Sequence, residues 1–129
     1  MIRLALPVLV FYACDDHTFE SHHVAEEVEG TGSSAVASLM SNNCVACHAT
    51  GGSPPALDGD LCDSLVGVPS AYGADAGLVV EGDSDGSYLI HKLEDDSSIS
   101  GNPMPPTSLL PDDKIEAVRE WILAGALRD

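Results

Sequence analysis

Apolar residues recur at helical spacing in four segments of the chain, and polar stretches rich in turn residues separate these segments. The pattern predicts four helices. Their bounds are, in chain order, about Ala35 to the region of residues 44–47, residues 61–66, Tyr88 to about Leu93, and Pro111 or Asp112 to Gly125. Their apolar positions are Val36, Leu39 and Met40; Leu61, Cys62, Leu65 and Val66; Leu89, Ile90 and Leu93; and Ile115, Val118, Trp121 and Ile122.

Serine side chains lie where two of these helices begin. Ser33 or Ser34 can cap the first helix, and the turn at 82–87 can cap the third. Between the helices, Leu78-Val79-Val80 forms a short extended piece. The chain therefore predicts an all-α fold of a few short helices joined by long loops.

The first 14 residues have the pattern of an export leader. Arg3 precedes an apolar run at 4–13, which is far shorter than the ~20 residues that span a bilayer. The run ends at Ala13-Cys14, and a small residue before a Cys resembles the cleavage site of bacterial lipoproteins, in which the Cys carries the lipid. We predict lipidation at Cys14; an ordinary cleaved signal and an uncleaved anchor are the alternatives.

Residues 15–32 form an acidic tether without a sustained apolar period. This segment contains His17, His22 and His23, which are either solvated side chains or ligands of a metal or a haem. Residues 33–129 then form a single domain, which is as much as a chain of 129 residues can accommodate after a leader and a tether.

The formal net charge is −16, with 21 acidic residues against 5 basic ones. Nucleic acids and anionic membrane surfaces are therefore poor partners, because binding to phosphates requires Lys and Arg. The acidity favours a partner protein with a basic surface, or it serves solubility alone. Only two Phe, three Tyr and one Trp are available, so the side chains make a thin core for a domain of this size.

The five residues Cys44-Val45-Ala46-Cys47-His48 form a Cys-x-x-Cys-His motif, the attachment signature of a c-type haem. Two thiols on one helical turn can form thioethers with the two vinyl groups on one porphyrin edge. The adjacent imidazole can then ligate the iron. The motif predicts Cys44 and Cys47 as covalent anchors and His48 as the proximal ligand, and the apolar porphyrin would enlarge the thin core.

A thioredoxin-like dithiol, half of a zinc site and a chance occurrence are the alternatives to a haem motif. The first requires a βαβ pattern, which the chain lacks. The second requires a further pair of ligands, whereas Cys62 stands alone. Cys62 lies on an apolar helical side, so we interpret it as a small buried residue rather than an exposed thiol that links two copies.

The loop at 95–110 contains Met104 between prolines, in the run Pro103-Met104-Pro105-Pro106. Proline removes conformational freedom that ligation would otherwise cost, so a stiff loop suits a thioether held at a fixed point. We predict Met104 as the distal iron ligand. The alternatives are that Met104 is only an apolar plug, or that His91 or a tether histidine binds the iron instead.

The haem motif at the end of a helix, the Met104-Pro105-Pro106 loop, and the closing run from Glu120 to Ala126 together resemble a small monohaem cytochrome c of the bacterial class I type. The resemblance covers residues 33–129. It implies a few helices around one covalent haem, axial ligation by His48 and Met104, and attachment of the haem outside the cytoplasm.

These observations favour an electron-transfer protein on the periplasmic side of a bacterial membrane, because two filled axial positions leave no site for a substrate. A peroxidase-like or sensory haem module with a displaceable sixth ligand is the alternative. It would require a distal acid–base residue, and the surroundings of Met104 contain no convincing one. A third hypothesis is a binding domain that the haem only stabilises.

Overall fold

A computed structural model describes residues 32–71 and 77–128. Across these two ranges the chain forms five helices and no strand, which confirms the predicted all-α class. The helices are α1 (Ser33–Asn43), α2 (Val45–His48), α3 (Leu61–Leu65), α4 (Tyr88–Glu94) and α5 (Asp112–Leu123). None of them is long and apolar enough to cross a membrane. The predicted leader, Cys14 and the tether histidines lie outside the described residues.

Helix α1 differs from the prediction at both ends. The residue that caps it is Gly32, with extended backbone and no side-chain cap, so the prediction of a serine cap was wrong. At the other end α1 stops at Asn43, because the backbone at Cys44 leaves the helical region with φ −124° and ψ −37°. A separate turn, α2, then carries Cys47 and His48, and the His48 N–H donates to the Cys44 carbonyl at 2.9 Å.

The other helices lie close to where the apolar pattern predicted them. Helix α3 is capped by Asp60, whose side chain accepts from the backbone N–H groups of Cys62 and Asp63. Helix α4 extends one residue beyond Leu93. After α5, Gly125 has a φ of +101°, which an L side chain rarely adopts, and this explains a glycine at the end of the helix.

The predicted cap of α4 has a different role from the expected one. Ser87 occupies the N-cap position, but its side chain makes no cap hydrogen bond. The hydroxyl instead donates to the Asp83 carbonyl at 2.7 Å and accepts from the Val80 N–H at 2.8 Å. Ser87 is fully buried, so these bonds replace the water that the hydroxyl loses and fix the turn that leads into α4.

Helices α1 and α4 both pack against α5, and apolar residues of α3 and of the loops complete the core. The largest side chains with less than 2% exposure are Trp121, Met40, Leu65, Ile90, Leu93 and Ile122. The extended piece at 78–80 does not form a strand. It makes isolated bridges instead, among them a parallel pair between Val66 and Val79.

Arg119 links α5 to α4 at the surface. Its guanidinium donates to Glu94 Oε1 from Nε at 3.0 Å and from Nη2 at 2.8 Å. Nη1 donates to Asp85 Oδ1 at 2.7 Å and to Ser84 Oγ at 3.1 Å. Four hydrogen bonds from one rigid group hold the turn before α4 and the end of α4 on the same face of α5.

Candidate functional site

A cavity of about 740 Å³ opens beside α2 and α4. The residues that line it include Cys44, Cys47, His48 and Met104, which the sequence predicted as site residues, together with Leu57. The structure therefore brings the Cys-x-x-Cys-His motif and the methionine of the 95–110 loop to one cavity, although 56 positions separate His48 from Met104. Most of the other lining residues are apolar: Met40, Pro54, Pro55, Leu65, Val68, Pro69, Ala71, Leu78, Leu89, Leu93 and Pro106.

The ring of His48 is oriented by two backbone carbonyl groups. Its Nδ1 lies 2.9 Å from the Ser53 oxygen and 3.2 Å from the Pro55 oxygen. Because both partners can only accept, Nδ1 must carry the proton, and the lone pair of the neutral ring lies on Nε2. A fixed tautomer of this kind is typical of a histidine that ligates a metal through its other nitrogen.

The loop after His48 is held in place by the motif itself. The Ser53 N–H donates to the Cys47 carbonyl at 2.9 Å, and the Leu57 N–H donates to the His48 carbonyl at 2.6 Å. Gly52 lies so close that an added Cβ would be 2.6 Å from the Cys47 oxygen. Only a glycine permits this approach, which brings the carbonyls of Ser53 and Pro55 to the imidazole.

The two motif cysteines are free thiols in different environments. Cys44 is half-buried and Cys47 is exposed. Burial raises the pKa of the Cys44 thiol above its ordinary value, and the proximity of Cys47 raises it further. Cys44 is therefore a poor thiolate at neutral pH, which is the opposite of the activated cysteine that a thioredoxin-like dithiol requires.

Cys62 lies elsewhere in the core. It is 4% exposed and its Sγ donates to the Ala126 carbonyl at 3.3 Å. The prediction of a small buried residue is confirmed, and the alternative of an exposed thiol that links two copies was wrong.

Met104 is half-buried, and its loop is attached to α4. Its N–H donates to the Lys92 carbonyl at 2.8 Å. His91, the alternative ligand on α4, is not among the residues that line the cavity. Its Nε2 lies 2.6 Å from the Asp85 carbonyl and its Nδ1 lies 3.0 Å from Ser98 Oγ, so both ring nitrogens are occupied on another side of the helix.

The residues of this cavity have the chemistry that a c-type haem requires of its site. No group of three or more His, Cys, Asp and Glu side chains in the described ranges could hold a metal ion. The volume falls within the range of about 300–1,000 Å³ for cofactor sites, and the lining is mainly apolar. The imidazole with a defined tautomer and the thioether are ligands that haem iron accepts. The two thiols can form thioethers with the haem vinyl groups.

Three residues near the site had no role in the sequence analysis. Asp58 accepts from Thr50 across the loop after His48, and Tyr88 and Lys92 on α4 contact the loop that carries Met104. Tyr88 and Lys92 are four residues apart on one helix, so their common face could be recognised in the sequence. Their contacts with the loop could not be predicted from the sequence, because no spacing rule relates a helix residue to a loop that follows it.

Comparisons with protein-family models, with curated proteins and with solved structures found no match to this chain.

Proposed function

We propose that the domain binds one covalent c-type haem in the cavity and acts as an electron-transfer protein, with the helical arrangement of a small class I-type cytochrome c. The observation that carries this proposal is the cavity itself, whose lining includes Cys44, Cys47, His48 and Met104. A bound haem would supply a one-electron couple, and His–Met ligation raises its reduction potential.

Each site residue has a defined part in this proposal. Cys44 and Cys47 form the thioether links, and Nε2 of His48 and the sulfur of Met104 ligate the iron. The carbonyls of Ser53 and Pro55 support Nε2 as the ligating atom, because they accept the hydrogen bond from the protonated Nδ1. The apolar lining would exclude water from a haem held by these four residues.

The acidic chain has further consequences under the same proposal. With a net charge of −16, the protein would meet a redox partner through a basic docking surface of that partner. Lipid chains on Cys14 would hold the domain on the periplasmic side of a bacterial membrane through the 15–32 tether.

The test compares two methionines that both line the cavity. The protein is expressed with a haem-attachment system, and Met104→Leu is compared with Met40→Leu, a swap that keeps core volume and costs less than about 1.5 kcal/mol. Wild type and Met40→Leu should stain for covalent haem, be six-coordinate and low-spin when reduced, and show the near-infrared charge-transfer band of methionine-ligated ferric haem. Met104→Leu should keep the covalent haem, lose that band and have a lower reduction potential.

Three results would contradict the proposal in different ways. Absence of covalent haem in wild type would exclude the cytochrome. A band that survives in Met104→Leu would exclude Met104 as the ligand. A high-spin reduced wild type would favour the enzyme or sensor with an open sixth position.

A further inference from the structure

Lys92 contacts the Met104 loop from both its main chain and its side chain. The Lys92 carbonyl accepts the Met104 N–H at 2.8 Å. The Nζ ammonium donates to the Asn102 carbonyl at 2.8 Å and to the Ser100 carbonyl. One residue of α4 therefore binds the loop at three points within the five residues that end at Met104.

Tyr88 supports the same arrangement from one turn earlier on α4. Its hydroxyl accepts the Ser100 N–H at 3.0 Å, and the Lys92 ammonium lies 5.9 Å from the centre of its ring. A cation at this distance is attracted to the face of an aromatic ring, so the ring restricts the ammonium to one side of the helix. Tyr88 is itself 6% exposed and is thus fixed by packing.

The contacts matter because Lys92 and Tyr88 make the hydrogen bonds that join residues 100–104 to the rest of the described chain. Between Asp95 and Leu110 the chain has no helix, and the carbonyls of Ser100 and Asn102 would otherwise be hydrated in several conformations. Hydrogen bonds from an ammonium to carbonyl oxygens are charge-assisted and stronger than neutral ones. Lys92 and Tyr88 also line the cavity, so their contacts with the loop lie beside the space that Met104 lines.

We propose that Lys92, oriented by Tyr88, is a positioning residue for the distal ligand: it holds the Met104 loop on α4 and so sets how readily an external ligand displaces the methionine. This inference rests on the proposed function, since it assigns the strength of an axial bond to a residue that does not itself touch the iron.

The experiment measures imidazole binding to the ferric protein by optical titration. Lys92→Leu removes the ammonium and keeps an apolar side chain, and Lys114→Leu is the matched control because it removes the same charge from an exposed position on α5. Imidazole should bind about tenfold more tightly to Lys92→Leu, which corresponds to about 1.4 kcal/mol, and with wild-type affinity to Lys114→Leu. Tyr88→Phe, which removes only the acceptor of the Ser100 N–H, should change the affinity in the same direction by less.

A double-mutant cycle separates this inference from the proposed function. In a Met104→Leu background there is no thioether to displace, so adding Lys92→Leu should leave the imidazole affinity unchanged. Equal effects of Lys92→Leu on the imidazole affinity with and without Met104 would contradict the positioning role of Lys92. If Met104→Leu alone leaves imidazole binding unchanged, then Met104 is not the ligand. That result contradicts the proposed function itself.

Amide hydrogen exchange provides a second readout, which does not depend on the iron. Exchange at Ser100 and Met104 should accelerate in Lys92→Leu and stay at the wild-type rate in Lys114→Leu. Unchanged exchange together with unchanged imidazole affinity in Lys92→Leu would overturn the inference even if that variant has a lower melting temperature.

Discussion

Asp58 accepts two hydrogen bonds from Thr50, one from the backbone N–H at 2.9 Å and one from the hydroxyl at 3.0 Å. The pair joins the two ends of the loop that contains Ser53 and Pro55, whose carbonyls orient the His48 ring. These hydrogen bonds lower the pKa of the Asp58 carboxyl below its ordinary value of 3.8, because they favour the ionised form.

The first prediction follows from the sign of this shift. A carboxyl with a depressed folded-state pKa stabilises the fold above its unfolded-state pKa, and the contribution is lost as the pH falls through the folded-state value. Asp58→Asn should therefore lower the melting temperature at about pH 6, and the difference from wild type should shrink at about pH 3. Melting followed by circular dichroism checks it, with Glu116→Gln on α5 as the control. An equal difference at both pH values would show that the charge of Asp58 is irrelevant.

The second prediction concerns the close approach of Gly52 to the motif. An alanine Cβ would lie 2.6 Å from the Cys47 oxygen and 3.1 Å from the Ala49 oxygen, and neither backbone atom can move without moving α2. Gly52→Ala should cost about 1–3 kcal/mol of unfolding free energy and reduce haem content. Gly59→Ala is the control in the same loop, since nothing lies within 4 Å of its added Cβ. Urea unfolding of both variants measures the cost, and equal stability of the two would contradict the prediction.

The third prediction tests the link between α4 and α5. The Arg119 side chain is 21% exposed, whereas Glu94 is 39% and Asp85 is 88% exposed, so the Glu94 pair should contribute most. Arg119→Lys keeps the charge but loses the two-pronged geometry, and should lower the unfolding free energy by about 1 kcal/mol. Adding Glu94→Gln to that variant should cost less than Glu94→Gln alone. Additive effects in urea unfolding would show that the two-pronged geometry of Arg119 adds nothing to the pair with Glu94.

The fourth prediction concerns covalent attachment. Cys47 is exposed, so its truncation to alanine removes little packing from the protein itself. A large fall in haem content and in melting temperature for Cys47→Ala would therefore reflect the lost thioether, and this is the result we expect. Cys62→Ala, which removes a buried thiol from outside the motif, should lose stability but keep its haem. Normal haem content together with a normal melting curve in Cys47→Ala would contradict the prediction.

The fifth prediction addresses the anchor. Cys14→Ser should transfer the protein from the membrane fraction to the soluble periplasmic fraction, because lipid chains rather than a spanning helix would hold it. Immunoblots of the fractions and the intact mass of the purified protein measure the change. Retention of Cys14→Ser in the membrane would favour an uncleaved anchor.

The apolar pattern located α3, α4 and α5 because their buried positions recur with the helical period and their polar neighbours are exposed. It did not predict the break of α1 at Cys44 or the cap at Gly32. Both depend on backbone dihedral angles that the residue types at those positions permit but do not require.

The candidate site also has one part that the sequence predicted and one part that it did not. The motif was recognisable because Cys44, Cys47 and His48 are local in the sequence, and Met104 because prolines flank it. The supporting contacts were not predictable: Thr50 with Asp58, and Lys92 with Asn102, join residues eight and ten positions apart through loops whose course the sequence pattern does not fix.

The cavity is lined by residues of α1, α2, α3 and α4 and of the loops between and after them, from Met40 to Pro106. A group bound there would contact all of these segments at once, so cofactor loading and folding would be one cooperative event. The lifetime of the chain in a cell would then follow the supply of that group. We expect pulse–chase labelling in haem-starved cells to show rapid degradation of newly made protein, and the same half-life with and without haem would exclude such coupling.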